Sequence, residues 1–202
     1  MKVQLDKTFP MSSPPEIAWE FLQNVEAVAS CMPGAKLTER VDENRHKGTV
    51  TVKLGPATMS FRGEVEVQDI DPATRSLRLL GKGTDSTGSS GVSMNLLARI
   101  DVVDGGSCAL VGSSEVSMSG KAVAFGGRMM DAVADKILIQ FADNFAAEVA
   151  ALQAQRSGPA AAGDGAPSAA APASRARELN ALALVWAIFK DWLRGLFAKK
   201  KA

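Results

Sequence analysis

One histidine, two cysteines and no tyrosine leave this chain with few groups for acid–base or nucleophilic chemistry. His46 stands among Asn44, Arg45 and Lys47 at the start of an alternating stretch, a setting that predicts a solvated surface side chain. A single histidine supports neither a catalytic triad nor a histidine-based metal cluster. Cys31 and Cys108 form no CxxC pair and have apolar neighbours, so buried free thiols in a reducing compartment are expected. Lys82 and Lys121 sit beside glycines, but neither run fits a phosphate-cradling loop. Asp69, Asp71 and Asp85 fall where turns or strand ends are expected. No catalytic residue and no metal ligand is assigned, although a cyclase-type enzyme using a few polar cavity groups stands as an alternative.

Binding chemistry is better represented. Met59, Phe61, Met94, Leu96, Met118, Phe125, Met129, Met130 and Val133 are large, mostly flexible apolar residues at expected inward positions, and Trp19 joins them. Methionine adapts to irregular ligands, and ligand pockets are apolar with a few polar anchors. Any one of these residues taken singly is better read as ordinary core. As a group they suggest a cavity for an isoprenoid or acyl chain. Trp19, Arg62, Asn95, Ser114 and Arg128 are the candidate polar anchors.

The elements that must position them follow from periodicity. Val3, Leu5, Lys7 and Phe9 alternate as in a strand. Ser12-Ser13-Pro14-Pro15-Glu16 predicts a serine-capped helix start. Ile17, Trp19, Phe21, Leu22 and Val25 fill that helix, and a second short helix over 25–31 stops at Pro33-Gly34. A six-strand antiparallel meander then alternates through Val50–Leu54, Met59–Val67, Leu77–Leu79, Val92–Val102 and Leu110–Met118. Its turn signals are Asp42–Arg45, Gly55-Pro56, Asp71–Thr74 and Asp104–Gly106. Residues 121–153 recur at helical spacing, long enough to cover the apolar face of the sheet, with Gly126-Gly127 as a weak or close-contact point. This is an α+β pattern: a curved antiparallel sheet gripping one long helix, with a cavity between them. The domain is expected over 1–153.

Beyond it, residues 154–175 are dominated by Ala, Pro, Gly and Ser and predict a flexible linker. Its low-complexity part has a reach of about 25 Å. Residues 176–202 predict an amphipathic helix. Trp186, Phe189, Trp192, Leu193, Leu196 and Phe197 gather on or beside one arc, and Lys199, Lys200 and Lys201 close it. Lys190, Asp191 and Arg194 interrupt the apolar stretch, so a peripheral helix at the membrane surface is favoured over a spanning one. Docking on a partner protein or on its own domain is the alternative. Charge agrees with this division. Residues 1–153 carry 15 Lys and Arg against 19 Asp and Glu, whereas 175–202 carry seven basic residues against two acidic ones. An acidic body argues against nucleic acid as a partner, and a basic amphipathic tail argues for lipid. The N-terminus reads as a strand rather than a signal peptide, so the domain is expected on the cytoplasmic side of the inner (cell) membrane.

Five local motifs stand in series: Val28–Leu37, Gly48–Pro56, Phe61-Arg-Gly63, Gly81–Gly88 and Gly120–Arg128. In that order they resemble the CoxG family, the accessory G-subunits of carbon monoxide dehydrogenase, within the START-like (SRPBCC) superfamily, over about residues 1–150. The resemblance implies a helix-grip fold and an accessory role without enzymatic activity. It implies a molybdenum-type carbon monoxide dehydrogenase, or a related molybdenum hydroxylase, as the partner recruited to the membrane. It also implies a respiratory quinone, menaquinone or ubiquinone, held non-covalently in the grip cavity to carry electrons onward. A START-like lipid carrier and a recruitment scaffold for another molybdenum hydroxylase are the alternatives.

Overall fold

A computed structural model describes residues 1–157 apart from 55, 56 and 105. The expected linker from residue 158 onward and the amphipathic helix lie outside the described residues. That includes Trp186, Phe189, Trp192, Leu193, Leu196, Phe197, Lys199, Lys200 and Lys201.

The chain opens with β1 (Lys2–Met11), whose residues alternate outward and inward. α1 (Pro15–Gln23) follows, and its start corrects the expected serine cap. The capping residue is Pro14, with no side-chain bond, and Ile17 and Ala18 donate their N–H groups to the Pro14 carbonyl. Pro15 needs no N–H partner at this position, and its fixed φ already suits a helix. α2 (Val25–Cys31) has a side-chain cap: Asn24 Oδ1 accepts from the Ala27 N–H at 3.1 Å.

Six strands then run in sequence: β2 (Ala35–Arg40), β3 (Arg45–Leu54), β4 (Ala57–Asp71), β5 (Ser76–Asp85), β6 (Ser90–Asp104) and β7 (Ser107–Gly120). With β1 they make one antiparallel sheet ordered β1-β7-β6-β5-β4-β3-β2. Gly48, Gly63 and Gly83 lie side by side on β3, β4 and β5. At Gly63 a Cβ would sit 2.1 Å from the Lys82 carbonyl oxygen, so only glycine allows the strands to close there.

A 3-10 helix (Lys121–Phe125) leads into α3 (Gly127–Ser157). The expected single helix from residue 121 is therefore two elements. Gly126 separates them at φ +76°, a conformation an L side chain resists. Nothing approaches a Cβ built at Gly126 or Gly127, so neither is there for close packing, and Gly126 serves conformation. At its far end α3 continues four residues past the expected boundary at 153. Ala154, Gln153 and Gln155 are good helix formers, and Arg156 pairs with Glu20 on α1.

α3 touches both β1 and β3, so the sheet curves around it. Its C-terminal half makes the core. Phe145 is 0% exposed and meets the edge of Phe21 at a ring separation of 5.0 Å, with Val149, Leu77, Ile100 and Leu110 also buried in the cluster. Each such side chain contributes about 1.5–3 kcal/mol by leaving water. Asn144 Nδ2 donates to the Cys31 carbonyl at 2.9 Å and ties α3 to α2. Cys31 and Cys108 are free and buried, as expected, and burial raises both thiol pKa values.

Candidate ligand-binding face

The inner face of the sheet can be followed strand by strand from its register. One cross-strand row runs Arg40, His46, Val65, Gly81, Met94, Val116 and Val3. A second runs Val67, Leu79, Leu96, Ser114 and Leu5. These rows face the side on which α3 lies, because Leu79 and Leu96 pack against the buried core.

Nine of the ten residues expected to line a cavity share one condition. Met59, Phe61, Met94, Leu96 and Met118 on the sheet, Phe125 on the 3-10 helix, and Met129, Met130 and Val133 on the first turns of α3 are all half-buried. None is sealed, and none lies fully in water. Val50, the register partner of Phe61, is exposed. The N-terminal half of α3 therefore leaves this part of the apolar face incompletely covered. Trp19 is placed elsewhere: at 9% exposure it packs into the filled core with Phe145.

The polar anchors divide. Ser114 is on the inner face and buried between Leu96 and Leu5. Arg62 follows Phe61 and precedes Gly63, so alternation turns it outward, and it is exposed. Asn95 is likewise exposed and accepts from Arg78 at 3.3 Å. Arg128 is exposed at the start of α3. These three are withdrawn as cavity anchors.

His46 is the main correction. It is 3% exposed, not solvated, and its Nδ1 is buried without a hydrogen-bond partner. Leaving such a group unpaired costs about 1–3 kcal/mol. The signal was its parity: His46 is in phase with Gly48, Val50 and Val52, while its charged neighbours pointed the other way. It lines a pocket of about 480 Å³ between α2 and β2, together with Glu26, Ala29, Ser30, Ala35, Leu37 and Arg40.

Two further residues hold the open end in shape. Lys7 lies on the inner side of β1, in phase with Leu5 and Phe9, and its Nζ meets Asp135 of α3 at 2.8 Å. Asp85 ends β5 as expected but is also buried. Its Oδ2 accepts from the Thr87 hydroxyl at 2.5 Å and its Oδ1 from the Ser90 N–H at 2.7 Å. These bonds, the Thr87 hydroxyl foremost, hold its pKa at about 2. Ser90 Oγ in turn accepts from the Ala122 N–H at 3.0 Å, which fastens the 3-10 helix to the β5–β6 turn.

A larger groove of about 780 Å³ belongs to the opposite face. Lys47, Arg62, Glu64, Lys82, Ser93 and Ser117 line it, and Met118 is the one expected cavity residue at its margin. Among the described residues no group of three His, Cys, Asp or Glu side chains gathers to hold a metal ion. Among the same residues no helix is long and apolar enough to cross a membrane.

This curved seven-stranded sheet closed on a long helix defines a START-like helix-grip protein. A conserved protein from Geobacillus kaustophilus shares the fold at 21% identity and a TM-score of 0.66, covering 74% of this chain and 96% of its own. A START superfamily protein from Mycobacterium smegmatis does so at 16% identity and 0.53, covering 74% and 98%. The Zhui aromatase/cyclase from Streptomyces sp. R1128 does so at 17% and 0.54, covering 81% and 100%. At these identities the likeness concerns the fold alone. No curated protein matches the sequence. The family model for the carbon monoxide dehydrogenase G-subunit (CoxG) matches residues 8–150, and the chain belongs to that family.

Proposed function

We propose that this chain is a membrane-tethered accessory protein of a molybdenum-type carbon monoxide dehydrogenase, and that its grip domain carries a respiratory quinone. Family membership supports the coarser part, an accessory role associated with carbon monoxide dehydrogenase. The ligand part is carried by one observation: the half-buried, methionine-rich face between the sheet and the N-terminal half of α3. Met94, Met118, Met129 and Met130 are flexible enough to follow an isoprenoid chain, and they leave it partly accessible for transfer. The ligand is held without a covalent bond, and the protein itself performs no catalysis. The basic amphipathic segment 176–202 brings the domain to the cytoplasmic face of the inner membrane through Trp, Phe and Lys contacts with lipid.

Organic extraction of the full-length protein, purified from membranes and followed by mass spectrometry, tests the cargo. Menaquinone or ubiquinone near one equivalent is the expected result. A phospholipid or fatty acid in its place identifies a general lipid carrier, and an extract without either removes the ligand reading. Deleting residues 176–202 is expected to move the protein to the soluble fraction. Persistent membrane association without them would refute the tether.

A further inference from the structure

Quinone carriage and membrane tethering give no task to the groove on the outer face of the sheet. At about 780 Å³ it is larger than the pocket between α2 and β2, and the helices pack against the other face. We propose that this groove receives an extended, acidic and polar segment of a protein partner, held by Arg62 and Lys82 and by the hydroxyls around them. Neither the cargo nor the tether is needed for it.

The groove is cationic within an acidic domain. One cross-strand row runs Lys36, Thr49, Arg62, Thr84, Gly91 and Ser119. The next runs Lys47, Glu64, Lys82, Ser93 and Ser117. Register partners point to the same side of a sheet, so these side chains share the outer face. Lys47 is engaged by Glu39 at 3.1 Å. The ion pairs among the described residues leave out Arg62 and Lys82, and also Lys36 at the rim, and all three are exposed. Glu64, half-buried, is the one acidic side chain in the lining. Residues 1–153 carry 15 basic residues against 19 acidic ones, so this surplus is a local concentration and not the average of the surface. Such a surface draws in an anionic partner.

Shape and lining select the occupant. A flat bilayer does not follow a concave groove, and Val92 and Met118, the large apolar residues of the lining, are half-buried. No aromatic side chain lines it for a nucleobase to stack on. It offers hydroxyls instead: Thr38, Thr49, Thr84, Ser93, Ser117 and Ser119, which hydrogen-bond carboxylates and peptide groups alike. From β2 to β7 it crosses five strand spacings, about 24 Å, which about seven extended residues would span.

The probe is an octapeptide alternating glutamate and serine, with a glutamine–serine octapeptide as its neutral counterpart. Each is titrated into the full-length protein, and backbone amide shifts in NMR report where it binds. Site-resolved shifts are needed because the basic segment 175–202 also attracts acidic peptides. The acidic peptide is expected to move the amides of Thr84, Ser93 and Ser117, and the neutral one to leave them in place. Arg62→Glu combined with Lys82→Glu is expected to weaken binding at the groove about tenfold and to spare the shifts in 175–202. Should that variant not fold, the wild-type shifts decide alone. Shifts confined to 175–202, no shifts, or equal shifts from both peptides would each overturn the proposal. A second arm places a nitrobenzoxadiazole fluorophore on Ser93→Cys, the two native cysteines being buried. Mixed phosphatidylcholine–phosphatidylglycerol vesicles are expected to leave its emission unchanged while the protein sediments with them. A blue shift would assign the groove to lipid and overturn the protein partner, whereas failure to sediment would count against the tether alone.

Discussion

The two halves of α3 meet the same sheet on different terms. Phe145 and Val149 in the C-terminal half are sealed against α1 and the β5–β7 strands, and Asn144 adds a hydrogen bond to α2. Met129, Met130 and Val133 in the N-terminal half are only half-buried, and Ile139 near the middle is exposed. One end is a core and the other is an apolar surface with an incomplete cover. The difference teaches that sealed core and open apolar surface are separated along a single helix, so one end can stay loose without the domain falling apart.

The sharpest way to break this comparison is to truncate a residue at each end. Phe145→Ala should cost about 3–5 kcal/mol in urea unfolding, since it removes a fully buried ring and its contact with Phe21. Gly63→Ala tests the closure of the sheet between the ends. The added methyl meets the Lys82 carbonyl, and a loss of about 1–3 kcal/mol is expected.

Asp85 offers a pH test of the open end. Its folded pKa, about 2, lies below the ordinary value of 3.8, so its bonds stabilise the native state fully above the unfolded value. That contribution is lost as pH falls from about 4 toward 2. Asp85→Asn should therefore lower the urea midpoint at pH 7 and flatten its fall over that acid interval; an unchanged slope would show that the carboxylate clasp is idle. The smallest effect is expected at Met129. Met129→Ala should cost about 1 kcal/mol or less, because its site is already partly in water. A loss equal to that of Phe145→Ala would mean that the two ends are packed alike.

Much of the fold was legible because alternation is strict where one face is buried. The α2 bounds, the strand order of the meander and the free cysteines all followed from local pattern. His46 shows where composition misleads, and Lys7, in the alternation with Leu5 and Phe9, shows where phase is the better guide. Both are polar, and His46 sits among charges, yet both keep the inward phase of their strands. Parity outweighed residue type, since a strand cannot turn one side chain without turning its neighbours. Arg62 and Asn95 fail as anchors for the same reason, one residue out of phase with Phe61 and Met94. Trp19 carried no such signal. Only the tertiary placement of α1 over the C-terminal half of α3 puts it in the core.

The break at Gly126 has a consequence for motion. The 3-10 helix is held at its start by the Ala122–Ser90 bond, while α3 begins after a residue in a left-handed conformation with no neighbour against it. Amides in the first turns of α3 can therefore exchange with solvent by local fraying, without waiting for the global unfolding that residues near Phe145 require. That end of the domain would then open at lower cost than the sealed one, and exchange rates along α3 would rise from Phe145 toward Gly127.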